Sequence, residues 1–150
     1  MSPEEETLDN QNTSNEMGKL NLLYRRATVL LRCKTVFPFD IFPNTLIIDY
    51  NKVDVIYRSF FKTSEIMSIP IARINHVTVD SVAFLSTLQI DVKGFEHKPP
   101  PLRFLRTSDA HLAQSLLFGL ISAHADKIDL SKFSTIEIMD KLVGIGSSRR

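Results

Sequence analysis

Four histidines, a lone cysteine and a Ser-Asp-x-His run are the residues whose types suggest catalysis or metal binding. His76, His97, His111 and His124 fall in a strand, a loop and a helix, and no two have metal-ligand spacing. Ser108, Asp109 and His111 crowd one helix start, where they cannot aim at one another as a catalytic triad must. The same run, "TSD", reads instead as a helix cap. Cys33 alternates with strand neighbours Leu31 and Arg32, and nothing near it in sequence lowers its pKa, so it is expected in the core or on an edge. One cysteine excludes an intramolecular disulfide and a cysteine-based zinc site, and fits a reducing, cytoplasmic setting. Five glycines form no phosphate-cradling loop, and "GIG" near the C-terminus follows a helix rather than opening one. The chain is therefore expected to be non-catalytic, with no metal and no cofactor.

Binding chemistry is better represented. The stretch "TVFPFDIFPN" (35–44) packs three phenylalanines, an isoleucine and a valine around two prolines. Prolines bar a central strand, yet turns are rarely so apolar. Phe37, Phe39, Ile41 and Phe42 would each contribute about 1.5–3 kcal/mol if fully buried. Two outcomes stand open. The loop either plugs the protein's own core, packing under its rim or on Leu20, Leu22 and Leu23, or it presents a contact surface.

The elements that position this loop are legible from periodicity. At 150 residues and 17.0 kDa, with 43% hydrophobic residues, the chain reads as one domain with tails. The net charge of +1 argues against a dedicated nucleic-acid binder. Charge is uneven: −4 over residues 1–23, +4 over 24–127 and +1 over the remainder. Residues 1–18 are polar and acidic, read as a disordered leader without a signal-peptide core. No apolar run approaches the roughly 18–20 residues a spanning helix needs.

From "ATVLLRCKT" onward, strand patterns follow at 45–50, 53–61, "EIMSIPI", "RINHVTVDSV", "AFLSTLQIDVK" and "LRFLR". Asn51-Lys52 reads as a two-residue hairpin turn, and the chain is expected to pass between sheets near Pro70. In "AFLSTLQIDVK", Phe84, Leu88, Ile90 and Val92 are expected to face inward. Then "TSDAHLAQSLLFGLISAHADK" switches to helical period, with Leu112, Leu116 and Leu120 beside Ala113, Leu117 and Ile121 in one broad stripe. A shorter helix is predicted at 135–143, opened by the capping box "STIE" and closed by "GIGSS"; it docks on the domain or serves a partner's groove.

Seven short antiparallel strands followed by a long amphipathic helix resemble the pleckstrin-homology (PH) superfold. "NTLIIDYNKVDVIYRSFFKTSEIMSIPIARINHVTVD" resembles bacterial PH-like domains in its strand, tight turn, strand and I-P-I-x-x-I order. The resemblance covers about 27–126. It implies an α+β, mainly β fold: a PH-like barrel of about seven antiparallel strands in two orthogonal sheets, capped by one C-terminal amphipathic helix. Residues 1–18 would be the leader, 19–127 the domain and 128–150 an extension with a short helix. In PH-type lipid binders the basic cluster lies on the first two strands and the 1–2, 3–4 and 6–7 loops. Those regions here hold Arg32, Lys34, Lys62, Lys93 and Lys98, while Asp49 stands where such binders place arginine. The resemblance implies a binding or scaffold module that contacts a protein partner, or itself, through the 35–44 loop. The alternative is a cytoplasmic module peripheral to a membrane, using the same loop with Lys34, Lys62, Lys93 and Lys98.

Overall fold

The computed structural model describes residues 15–20, 29–61 and 63–148. Residues 1–14, the leucine-bearing stretch 21–28 and Lys62 lie outside them. A helical stretch, α1 (15–20), stands where composition alone predicts disorder through residue 18. Two antiparallel sheets follow. The first has the order β1 (Val29–Lys34), β2 (Thr45–Asp49), β3 (Lys52–Arg58), β4 (Ser64–Pro70). The second has the order β5 (Ile74–Val82), β6 (Leu85–Val92), β7 (Leu102–Arg106). Then come α2 (Thr107–Ala125) and α3 (Thr135–Ser147).

The seven strands and their order agree with the sequence pattern, as does the passage between sheets at Pro70. There a 3-10 turn, Ile71–Arg73, buries Ile71 and redirects the chain. The β2–β3 hairpin turns on Asp49, whose buried carboxylate accepts from the N–H groups of Asn51 (2.7 Å) and Lys52 (2.8 Å). This aspartate is a turn-forming group held by the backbone.

The expected closed barrel does not form. At the β1–β7 corner the contact is one hydrogen bond, Val36 N–H to the Phe104 carbonyl (2.8 Å), rather than a ladder. The reason lies in β7. Ser86 pairs with Leu105 and Leu88 with Leu102, so Arg103 and Phe104 together oppose Thr87. This is a β-bulge, which bends the strand and interrupts its pairing. Phe104 takes φ 64°, a left-handed conformation costly for a bulky residue.

The core is one cluster, drawn from both sheets and α2: Leu46, Ile48, Val53, Val55, Ile69, Val77, Leu88, Leu105, Leu116 and Leu120 are among its most buried members. Helix α2 is apolar on two sides rather than one. Leu116, Leu117 and Leu120 belong to the core, and the helix lies against β5, β6, β7 and the 3-10 turn. Its second side receives α3, whose buried residues are Ile138, Leu142 and Gly146. Two glycines make that seam close. A Cβ on Gly119 would collide with the Leu142 carbonyl, and one on Gly146 with the Ser115 carbonyl. Gly119 thus admits a helix, where the sequence suggests close packing on a sheet.

Both helix ends depart partly from expectation. No side chain caps α2; its first residue, Thr107, instead accepts from Ser86 Oγ at 3.0 Å. The predicted capping box of α3 is present, Ser134 and Glu137 bonding reciprocally. That helix runs on through "GIG" to Ser147, because Gly146 is buried in the seam rather than ending the helix.

Two alanine substitutions test the seam, two residues apart. Gly146→Ala is expected to destabilise by about 1–3 kcal/mol, overpacking outweighing helix propensity. Gly144→Ala meets nothing within 4 Å and is expected to stabilise by up to about 1 kcal/mol. Urea denaturation of both variants gives the two signs.

Candidate aromatic contact surface

The 35–44 loop is built around Asp40. Asp40 Oδ2 accepts from Thr35 Oγ1 (2.6 Å) and Asn44 Nδ2 (3.2 Å), and Oδ1 accepts from the Phe42 N–H (3.2 Å). Thr35 and Asn44 close the base of the loop: Thr35 N–H donates to the Asn44 carbonyl, and Asn44 N–H to Thr35 Oγ1. Asn44 Oδ1 then accepts from the N–H of Arg58, tying the loop to the end of β3 (2.8 Å). The inside of the loop is therefore polar and satisfied, and the apolar side chains are left outside.

Phe37 is 69% exposed and Ile41 70%; Phe39 is half exposed and Phe42 partly buried. Among the described residues Phe37, Phe39 and Ile41 therefore do not plug the core; Leu22 and Leu23, on which the loop is also expected to pack, lie outside the described residues. Its aromatics meet others from neighbouring turns. Phe39 lies 6.1 Å, centroid to centroid, from Phe84 and 6.2 Å from Phe104. Phe42 lies 5.6 Å from Phe60, which is 5.5 Å from Phe61. Phe60 and Phe61, in the β3–β4 turn, are 73% and 84% exposed; Phe84, in the β5–β6 turn, is 67% exposed. A cleft of about 300 Å³ opens between Phe42, Arg58, Ser59, Phe60, Thr63 and Ser64.

Phe60, Phe61, Phe84 and Phe104 escape a reading of the sequence. Phe84 is expected inward by strand alternation, yet it occupies the turn after Ala83 (φ 55°), and Ser86 takes the buried place. Phe104 faces outward because of the bulge. The doublet "FF" at a hairpin tip carries a signal, since turn residues have little core to reach.

The cations are distributed differently from the resemblance. Lys34 is exposed at the end of β1, beside the loop. Lys93 and Lys98 follow the far end of β6, eight residues or about 26 Å along the strand from the Phe84 turn. Lys98 is engaged with Asp91 at 3.3 Å. Lys62 is outside the described residues. Arg58, Arg103 and Arg106 instead stand exposed beside Phe60, Phe104 and the Phe84 turn. Among the described residues, ion pairs join Lys52 to Asp54 and Lys98 to Asp91, so Lys34 and these arginines are unpaired.

The remaining chemistry-bearing residues stay apart. His76 lies against Phe118, His111 Nε2 is 3.4 Å from Ser81 Oγ, and His124 Nε2 is 3.0 Å from the Tyr50 carbonyl. Among the described residues no three of His, Cys, Asp or Glu group as metal ligands, and no helix is long and apolar enough to cross a membrane. Cys33 is buried in β1, and its thiol is pushed up to about 12, first by burial and then by the Asp109 charge. Burial and then Glu65 likewise push Tyr57, whose hydroxyl donates to the Pro100 carbonyl, up to about 12. Comparison of the chain with protein-family models, curated proteins and solved structures finds no match.

Asp40→Ala is expected to cost about 1.5–3 kcal/mol, the range for hydrogen bonds to a charged group, and Asp40→Asn less; chemical denaturation measures both. For Cys33 and Tyr57 the native state holds protons that the unfolded chain releases at lower pH. Stability is thus expected to fall as pH rises from about 9, the ordinary thiol value, towards about 12. Denaturation at pH 8, 9.5 and 11 should show a shallower decline in Cys33→Ala and in Tyr57→Phe.

Proposed function

We propose that this chain is a non-catalytic PH-like binding module whose working surface is its aromatic end, used in protein contact and first of all in self-association. The arrangement of four and three antiparallel strands followed by α2 supports the PH-like reading. One observation carries the functional part: phenylalanines from three separate turns stand exposed together while the loop's polar groups are satisfied internally. Soluble monomers rarely leave a large contiguous apolar patch uncovered, and aromatic residues dominate the energetics of protein contacts.

A second reading rests on cations that have no acidic partner among the described residues. Lys34, Arg58, Arg103 and Arg106 border the aromatic turns, and aromatics edged by cations suit the interface of an anionic bilayer. In this reading the module lies on a membrane surface and the arginines take the place of Lys93 and Lys98.

Sedimentation velocity over a range of concentrations tests the first reading. The native chain is expected to associate reversibly, and Phe37→Ser with Phe61→Ser to remain monomeric at unchanged stability, both side chains being mostly exposed. Co-sedimentation with vesicles containing anionic lipid, at low and high salt, tests the second. Salt-sensitive pelleting without self-association would transfer the function to the membrane. Neither behaviour in the native chain would remove both readings.

A further inference from the structure

Strand β4 is the outer edge of the first sheet, and among the described residues no strand pairs with it beyond β3. The ladder shows which of its main-chain groups face the open side. Val53 pairs with Ile69, Val55 with Met67 and Tyr57 with Glu65. Two hydrogen bonds in the same phase bracket this series: Ser59 N–H to the Thr63 carbonyl (3.1 Å) and Ile71 N–H to the Asn51 carbonyl (2.8 Å). Antiparallel pairs alternate between bonded and non-bonded, so Glu65, Met67 and Ile69 spend their N–H and C=O groups on β3. Ser64, Ile66 and Ser68 point theirs away from the sheet.

Natural sheets blunt such an edge with proline, lysine or a bulge. From Ser64 to Ile69 this strand has none of them. Its one charged residue is Glu65, the β3–β4 register is unbroken, and Ile66 is 63% exposed.

The edge is complementary to itself. Laid antiparallel on a second copy with Ile66 opposite Ile66, it sets Ser64 opposite Ser68, and every outward N–H and C=O of the three residues is paired. Ile66 lies beside Ile56 within the sheet, so a row of isoleucines would cross the junction. Glu65 falls opposite Met67, whereas a register centred on Glu65 would oppose two carboxylates. The same register carries each β3–β4 turn, with Phe61, alongside the exposed Pro70 and Ala72 of the other copy.

We propose that two copies of this chain pair antiparallel through β4, Ile66 against Ile66, joining their first sheets into one. The pairing rests on the self-association proposed above and supplies its two-fold axis.

Amide hydrogen exchange of the native chain, followed by NMR across the concentrations at which it associates, tests this. Exchange at Ser64, Ile66 and Ser68 is expected to slow at least about tenfold as the dimer forms. Ile66→Lys, at an exposed position, is expected to keep native stability and to weaken association about tenfold or more in sedimentation velocity. Suppose the native chain associates, but the three amides exchange as fast as before or Ile66→Lys associates as tightly. The edge pairing is then overturned, while self-association through the aromatic surface stands. A native chain that is monomeric at every concentration would overturn both.

Discussion

The carboxylate of Asp40 governs the most unusual feature of this protein. By accepting from the Thr35 hydroxyl, the Asn44 amide and the Phe42 N–H, it fills the interior of the 35–44 loop with satisfied polar groups. A loop centred on a hydrogen-bonded carboxylate cannot also bury four large apolar side chains there. Burying the aromatics would unmake these bonds, and an unpaired buried carboxylate costs more than the apolar transfer returns. The phenylalanines therefore stand outside, where they meet those of the neighbouring turns.

The bulge in β7 completes that arrangement. By opposing two residues to one, it turns Phe104 outward against Phe39 and offers its carbonyl to Val36. The same irregularity keeps the β1–β7 corner from zipping into a ladder. The outward turn of Phe104 and an unclosed pair of sheets are thus two consequences of one local insertion. On the other side of the molecule the decisive contacts are steric: Gly119 and Gly146 let the helices approach until backbone meets backbone, and α2 becomes a buried layer between sheet and helix.

Much of the framework is legible in the sequence. The seven strands, the passage near Pro70, the long helix and the Ser134–Glu137 capping box all follow from periodicity and local capping rules. Departures come where a local rule competes with a distant partner. Thr107 looks like part of a cap, yet its hydroxyl is engaged by Ser86 from another strand. The glycines of "GIG" look like a terminator, but one is held in the helix by the space α2 leaves for it. Phe84 looks like an inward strand residue, and a positive φ at Ala83 starts the turn one residue early. In each case the deciding atom lies far away in sequence or in a backbone angle that composition does not encode.

The aromatic surface divides along the same line. The sequence by itself determined that 35–44 could not be a central strand, that it was strongly apolar, and that it joined the first two strands. Chain chemistry sets these points: proline lacks an N–H, and alternation stops at residue 35. Only the tertiary structure decided which way the phenylalanines point and which others join them. Turns have no periodicity from which a buried side can be read, so burial there depends on where the polar groups find partners. Here they found them inside the loop.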